Sequence, residues 1–192
     1  MLQSALLGVL DARTMSGYEL VQFFNAGSGW LWSAPQSQIY PLLRKLEAGG
    51  LIVGEQRQRG KLERTVYSIT EAGRAELHGW IATAQPAPPP RDAFALQMSL
   101  LDLVDLEAGR KVLTAFADEQ QEIAESCEQH RDRLLAKDTP LLRERLRKIP
   151  EERHGHVARL KAHVFDGQAR VARERARWAR EAVSVLEEGA SL

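Results

Sequence analysis

Apolar positions along this chain follow helical spacing first, strand spacing next, and helical spacing again to the end. Leu2, Ala5, Leu6, Val9 and Leu10 mark a first helix. Ser16-Gly17-Tyr18-Glu19 has the form of a capping box opening a second helix, which runs through Leu20, Val21 and Phe24 and stops near Gly27. A third helix begins after Ser33-Ala34, with Pro35 suited to its first turn; it carries Ile39, Leu42, Leu43 and Leu46 on one face and ends at Gly49-Gly50. Pro41 lacks an amide donor, so it is expected to bend this helix or leave its first turns irregular. Leu51 to Gln56 and Arg64 to Ile69 are rich in Val, Ile, Thr and Tyr and predict two strands joined by a Gly60-centred tip. Thr70 then caps a fourth helix from Glu71 to about Ala84, with Ala72, Leu77, Trp80 and Ile81 facing a core.

The Pro-rich run Gln85-Pro86-Ala87-Pro88-Pro89-Pro90 cannot continue that helix and is expected to be extended and stiff. It divides the chain into residues 1–84, a linker over 85–91, and residues 92–192. Everything beyond the linker has helical spacing. Asp92 to Leu103 predicts a short helix with Phe94, Leu96, Met98, Leu100 and Leu101 on its apolar face. Asp105 caps the next, along which Leu113, Phe116, Gln120, Ile123, Cys127, His130 and Leu134 alternate by three and four like a coiled-coil seam. Thr139-Pro140 starts a short helix through Leu142 and Leu146, and Pro150 opens the last and longest one, with Glu151 and Glu152 in its first turn.

On that last helix Ala158, Ala162, Phe165, Ala169, Ala172, Ala176, Ala179, Val183 and Leu186 keep the three-four alternation. Val157, Val164, Val171, Trp178 and Val185 add a heptad beside them. So broad a stripe asks for more than one packing partner, and Phe165, Ala169, Ala172, Ala176, Trp178, Ala179, Val183 and Leu186 are the expected contacts of a two-fold dimer. The fold class is therefore mainly α with a small two-stranded β-wing: an N-terminal winged helix-turn-helix followed by a C-terminal long-helix dimerisation domain.

The 192 residues are 44% hydrophobic and 27% charged, ordinary for a globular protein, and no apolar run approaches the ~20 residues of a membrane-spanning helix. The opening MLQSALLGVLD lacks a basic start and a cleavage site, so it is expected to be a core helix rather than a signal peptide. A cytoplasmic protein is expected. The single cysteine, Cys127, excludes an intrachain disulfide and suits a reducing compartment. Zero net charge hides a local excess: within residues 57–64, Arg57, Arg59, Lys61 and Arg64 are opposed only by Glu63.

If the apolar face of the third helix is buried, Gln36, Ser37, Gln38, Tyr40, Arg44 and Lys45 lie on and around its outer face. Such side chains reach base edges and phosphates, although a solvated polar face would look the same. The basic hairpin tip that follows in the expected order favours double-stranded DNA. A winged helix used only to bind protein is the alternative, and it has no need of Arg57, Arg59, Lys61 and Arg64 together.

In Gly17-Tyr18-Glu19-Leu20, Trp32-Ser33, Gln38-Ile39-Tyr40-Pro41, Leu43-Arg44-Lys45-Leu46-Glu47, Gly50-Leu51-Ile52 and Tyr67-Ser68-Ile69-Thr70-Glu71-Ala72-Gly73-Arg74 the sequence resembles the PadR family of winged helix-turn-helix regulators. Those pieces cover most of residues 2–84. The second half matches more loosely, through a long helical arm containing Arg177-Trp178-Ala179-Arg180-Glu181-Ala182, in the manner of the family's larger type. The resemblance implies a dimeric regulator, commonly a repressor, that binds partly palindromic operators and often releases them when a small molecule binds. It also places Tyr40 in the recognition helix and Arg59 to Arg64 in the wing.

Other chemistry finds little footing. Cys127-x-x-His130, or His154, His156 and His163, could suggest a metal, but there is one thiol, and two helical residues two apart diverge. No P-loop, dinucleotide fingerprint or nucleophile elbow occurs, so no cofactor and no catalytic role are expected. Trp30, Trp32 and Trp178 could line a pocket for a small apolar or aromatic effector, or simply belong to the core.

Overall fold

Local hydrogen bonding fixes most of the element boundaries. The computed structural model describes residues 1–26, 34–59, 62–86 and 92–189. The chain folds as two compact units, Met1–Pro86 and Ala87–Leu192.

In the first unit, α1 (Leu2–Ala12) buries Leu6, Leu7, Val9 and Leu10. The capping box forms as its residues require: Ser16 N–H donates to Glu19 Oε2 at 2.8 Å and Glu19 N–H donates to Ser16 Oγ at 3.3 Å. They open α2 (Gly17–Ala26), and α3 (Gln36–Ala48) packs against it through Ile39, Leu43 and Leu46. Pro41 does not interrupt α3. Pro35 is the N-cap rather than a first-turn residue, and its carbonyl accepts from both Gln38 N–H and Ile39 N–H, which closes the first turn ahead of Pro41.

Strands β2 (Ile52–Arg59) and β3 (Leu62–Ile69) form the antiparallel hairpin. They are longer than the β-propensity of their residues predicts, so Arg57 and Arg59 sit within strand β2 and not in a loop. A further strand, β1 (Met15–Ser16), pairs with β3, giving a three-stranded sheet of order β1-β3-β2. Two residues carry no period, and β1 exists only through its pairing of Met15 with Tyr67 and Ser16 with Val66. The last helix of this unit, α4 (Glu71–Ala82), is capped by Thr70, whose Oγ accepts from Gly73 N–H at 3.1 Å and donates to Gly50 O at 2.7 Å. Of its expected core residues only Leu77 is buried; Ala72, Trp80 and Ile81 are exposed in this unit, because α4 touches its neighbours along the narrow Gly73–Leu77 edge.

In the second unit, Asp92 caps α5 (Ala93–Met98) by accepting from Phe94 N–H and Ala95 N–H. The predicted continuous helix to Leu103 breaks at Ser99–Leu100 and resumes as one 3₁₀ turn, Leu101–Leu103, so Phe94 and Leu101 are buried while Leu96 and Leu100 are not. Helix α6 (Leu106–Leu135), capped by Asp105, and α8 (His154–Gly189), reached through α7 (Pro140–Leu146) and a 3₁₀ turn at Glu151–Arg153, form an antiparallel pair. Salt bridges set its register: Arg110 with Glu187 at 3.4 Å, Arg131 with Asp166 at 3.5 Å, and Arg173 with Glu128 between them. The buried α6 positions are Gly109, Leu113, Ala117, Ala124, Cys127 and Leu134; Phe116 and Ile123 lie to the side of that seam.

Candidate nucleic-acid interface

Helix α3 is anchored by three buried side chains and leaves Gln36, Ser37, Gln38, Arg44 and Lys45 exposed on its outer face. Leu42 is half-buried. Glu47 ties the helix to the hairpin, its Oε1 accepting from Gly54 N–H at 3.0 Å. Tyr40 does not share the outward direction. Its ring lies over Gly17 at the start of α2, so closely that a Cβ on Gly17 would stand 2.7 Å from Tyr40 Cε1. Tyr67 belongs to the same neighbourhood; burial, with the negative Glu47 nearby, pushes its phenol above the usual tyrosine range.

On the hairpin, Arg57 and Arg64 are directly paired across β2 and β3. Like charges facing one another across strands are unfavourable without a counter-charge. Glu55 supplies part of one, 3.0 Å from Arg57, in an exposed pair worth little. Residues 60 and 61, and with them Lys61, lie outside the described residues, as do Trp30 and Trp32. Arg59 ends β2.

The second unit has its own cleft, about 770 Å³, lined by Met98, Leu101, Val104, Trp178, Val185 and Leu186 and edged by Asp102 and Glu181. Trp178 meets Phe94 edge to face at 5.6 Å, and Phe94 stacks on Phe116. Arg175 lies over the Phe116 ring and pairs with Asp92 at 2.7 Å, holding the carboxyl of Asp92 below the usual range.

The residues expected at a dimer contact differ in how far their own chain covers them. Phe165, Ala169, Ala172, Ala176 and Ala179 are buried inside the chain, the last two at 0% exposure, because α6 covers them. Val183 and Leu186 are half-buried against the same helix, and Trp178 remains 37% exposed. What α8 leaves uncovered is its flank, Leu160, Val164, Val171 and Val185. Among the described residues no group of three His, Cys, Asp or Glu side chains could hold a metal ion, and no helix is long and apolar enough to cross a membrane.

A winged helix-turn-helix unit with an exposed polar third helix, joined to a unit of long paired helices, defines a class of DNA-binding transcriptional regulators. Residues 6–79 match the model of the transcriptional regulator PadR-like family. The negative transcriptional regulator PadR of Bacillus subtilis (strain 168) is 31% identical over 142 residues, 73% of this chain and 78% of that protein. The crystal structure of Bacillus subtilis PadR in complex with operator DNA superposes with a TM-score of 0.74 at 24% identity, covering 96% of this chain and 98% of that one. The same protein in complex with p-coumaric acid gives 0.70 at 24% identity, covering 97% and 98%. The chain belongs to the PadR-like family and is a transcriptional regulator.

Proposed function

We propose that this regulator binds a partly palindromic operator as a homodimer, acts as a repressor in the cytoplasm, and is released from DNA by a small apolar or aromatic effector, without catalysing a reaction. The observation that carries the reading is the outer face of α3: Gln36, Ser37, Gln38, Arg44 and Lys45 are exposed on a helix held rigidly by Ile39, Leu43 and Leu46. Amides and hydroxyls in the first turn suit base edges in the major groove, and the cations further along suit phosphates. The wing residues Arg57, Arg59, Lys61 and Arg64 then bind backbone without reading sequence, and DNA adds counter-charge beside the facing Arg57 and Arg64, which Glu55 and Glu19 balance only in part. Residues 1–84 are thus the DNA-binding domain, 85–91 the linker and 92–192 the dimerisation and effector domain.

Support for repression and release comes from the Bacillus subtilis relative, a negative regulator crystallised with operator DNA and with p-coumaric acid. The cleft beside Trp178 is the candidate effector pocket, since it combines an indole, an apolar lining and open access. Selection of a preferred site from random duplexes, followed by fluorescence anisotropy, tests the assignment. Gln38→Ala and Arg44→Ala should each weaken the selected operator by about 1–3 kcal/mol per half-site and mixed-sequence DNA far less. Equal losses on both duplexes would refute base readout by α3.

A further inference from the structure

The first unit holds a second concavity, of about 390 Å³, where the start of α2, the middle of α3 and strand β3 meet. Tyr18, Tyr40, Arg64, Thr65, Tyr67 and Ser16 line it. We propose that this cleft seats one backbone phosphate of the bound duplex, with Tyr18 and Tyr40 donating hydroxyl hydrogen bonds and Arg64 supplying the cation. The proposal rests on the DNA-binding reading above and changes the role of Tyr40 within it, from base reader to backbone clamp.

The lining is the first argument. Its polar groups are hydroxyls and one guanidinium, a set well supplied with donors for phosphate oxygens. No carboxylate lines it. Two acids lie nearby and both are engaged: Glu19 accepts from the N–H and Oγ of Ser16, which together with Arg13 and Arg64 lower its pKa, and Glu47, whose charge reaches Tyr67, accepts from Gly54 N–H.

The second argument is direction. The Tyr40 ring lies on the backbone of Gly17 at the start of α2 and is half-buried there, whereas Gln36, Ser37, Gln38 and Arg44 are exposed. Gly17 is the residue that leaves room for it. Tyr18, 60% exposed, stands at the mouth of the same cleft, although nothing in apolar periodicity distinguishes it from any surface tyrosine. The cleft also adjoins the strand that carries Arg64, so a duplex lying on α3 and the wing passes its backbone over the opening.

The test uses the full-length protein with its selected operator and a mixed-sequence duplex. Tyr18→Phe and Tyr40→Phe remove only an oxygen atom each, and thermal unfolding by circular dichroism checks that both variants fold. Each should weaken both duplexes by the same factor, about ten- to a hundredfold, the size of one hydrogen bond lost in each of the two subunits, leaving the ratio between duplexes unchanged. Arg64→Gln should lower the slope of log affinity against log salt by roughly two, one phosphate contact per subunit. Gly17→Ala, which displaces the Tyr40 ring, should reproduce the Tyr40→Phe loss. A fall in the operator-to-random ratio in Tyr40→Phe would assign that residue to a base and overturn the proposal, as would unchanged affinities in both Phe variants. Inorganic phosphate that stabilises the wild type while the Phe variants bind DNA normally would make the cleft a free-anion site, which also overturns it. A wild type that binds neither duplex would instead sink the DNA-binding reading itself.

Discussion

Replacing Val164 and Val171 by Glu should dissociate the proposed dimer without unfolding its subunits. In the isolated chain these side chains are 44% and 59% exposed, on the flank of α8 that also presents Leu160. Exposed substitutions away from special features change stability by about 0.5 kcal/mol or less, and Glu is the better helix former, so the subunit should be indifferent to them. The dimer should not be. Full burial of a valine contributes about 1.5 kcal/mol at the low end, and roughly half of that surface remains to be covered here, giving about 0.8 kcal/mol per side chain. A two-fold interface carries each substitution twice, so four side chains contribute about 3 kcal/mol before any penalty for burying the new carboxylates. The dissociation constant should rise at least roughly a hundredfold. Sedimentation velocity over a dilution series measures it, and urea unfolding monitors the subunit. A variant that remains as dimeric as the wild type would show that this flank is not the interface.

Two further outcomes check the fold. Gly73→Ala should destabilise the first unit: the added Cβ would meet Leu51 O at 2.1 Å and Ile69 Cγ1 at 2.8 Å, and a backbone carbonyl cannot swing aside as a side-chain tip can. Helix propensity returns about 1 kcal/mol, whereas overpacking against backbone costs about 3 kcal/mol, so a net loss of about 2 kcal/mol is expected in urea unfolding, and a neutral result would refute the packing. His130, whose ring lies 4.4 Å from that of Phe165, has its pKa lowered first by burial and then by Arg133. Its stabilising contribution is therefore present when it is neutral and is lost as pH falls through the ordinary histidine range, where the unfolded chain takes up a proton that the folded one resists. His130→Gln should flatten the fall in urea midpoint between about pH 7.5 and pH 5.5 relative to the wild type, and an identical pH slope in both would refute it.

Features written in local chemistry are legible in this sequence. Ser16 with Glu19, Thr70, Asp92 and Asp105 each satisfy amides within three residues of themselves, so the starts of α2, α4, α5 and α6 follow from side-chain type alone. The outer face of α3 is equally readable, because burying Ile39, Leu43 and Leu46 leaves only one way round. Features created by a distant partner are not. Strand β1 depends on β3, some fifty residues away, and the closeness of Tyr40 to Gly17 depends on how α3 crosses α2. Along α6 the three-four pattern drawn through large apolar residues selects Phe116 and Ile123, yet Ala117 and Ala124 are the buried ones. Hydrophobicity marks what gains by leaving water; it does not mark where two backbones come closest.

That distinction decides the alanine row of α8. Periodicity establishes that a helix face is covered, and it is silent on whether the cover belongs to the same chain. A row of small residues needs a partner that is small at the matching places, and α6 supplies one in Ala117 and Ala124, aligned in antiparallel order by Arg110–Glu187, Arg173–Glu128 and Arg131–Asp166. Gly109 completes the match, since a side chain there would collide with Leu186 at 2.6 Å. Once α6 has taken the alanines, the surface α8 can offer a second subunit is its valine and leucine flank. Larger side chains hold helices further apart than alanines do, so contacts between subunits should be wider and easier to prise open than the close-packed pair within each chain. The effector proposed for the cleft beside Trp178 would lie against that same flank at Val185, where the looser contact, and not the alanine seam, would yield to it.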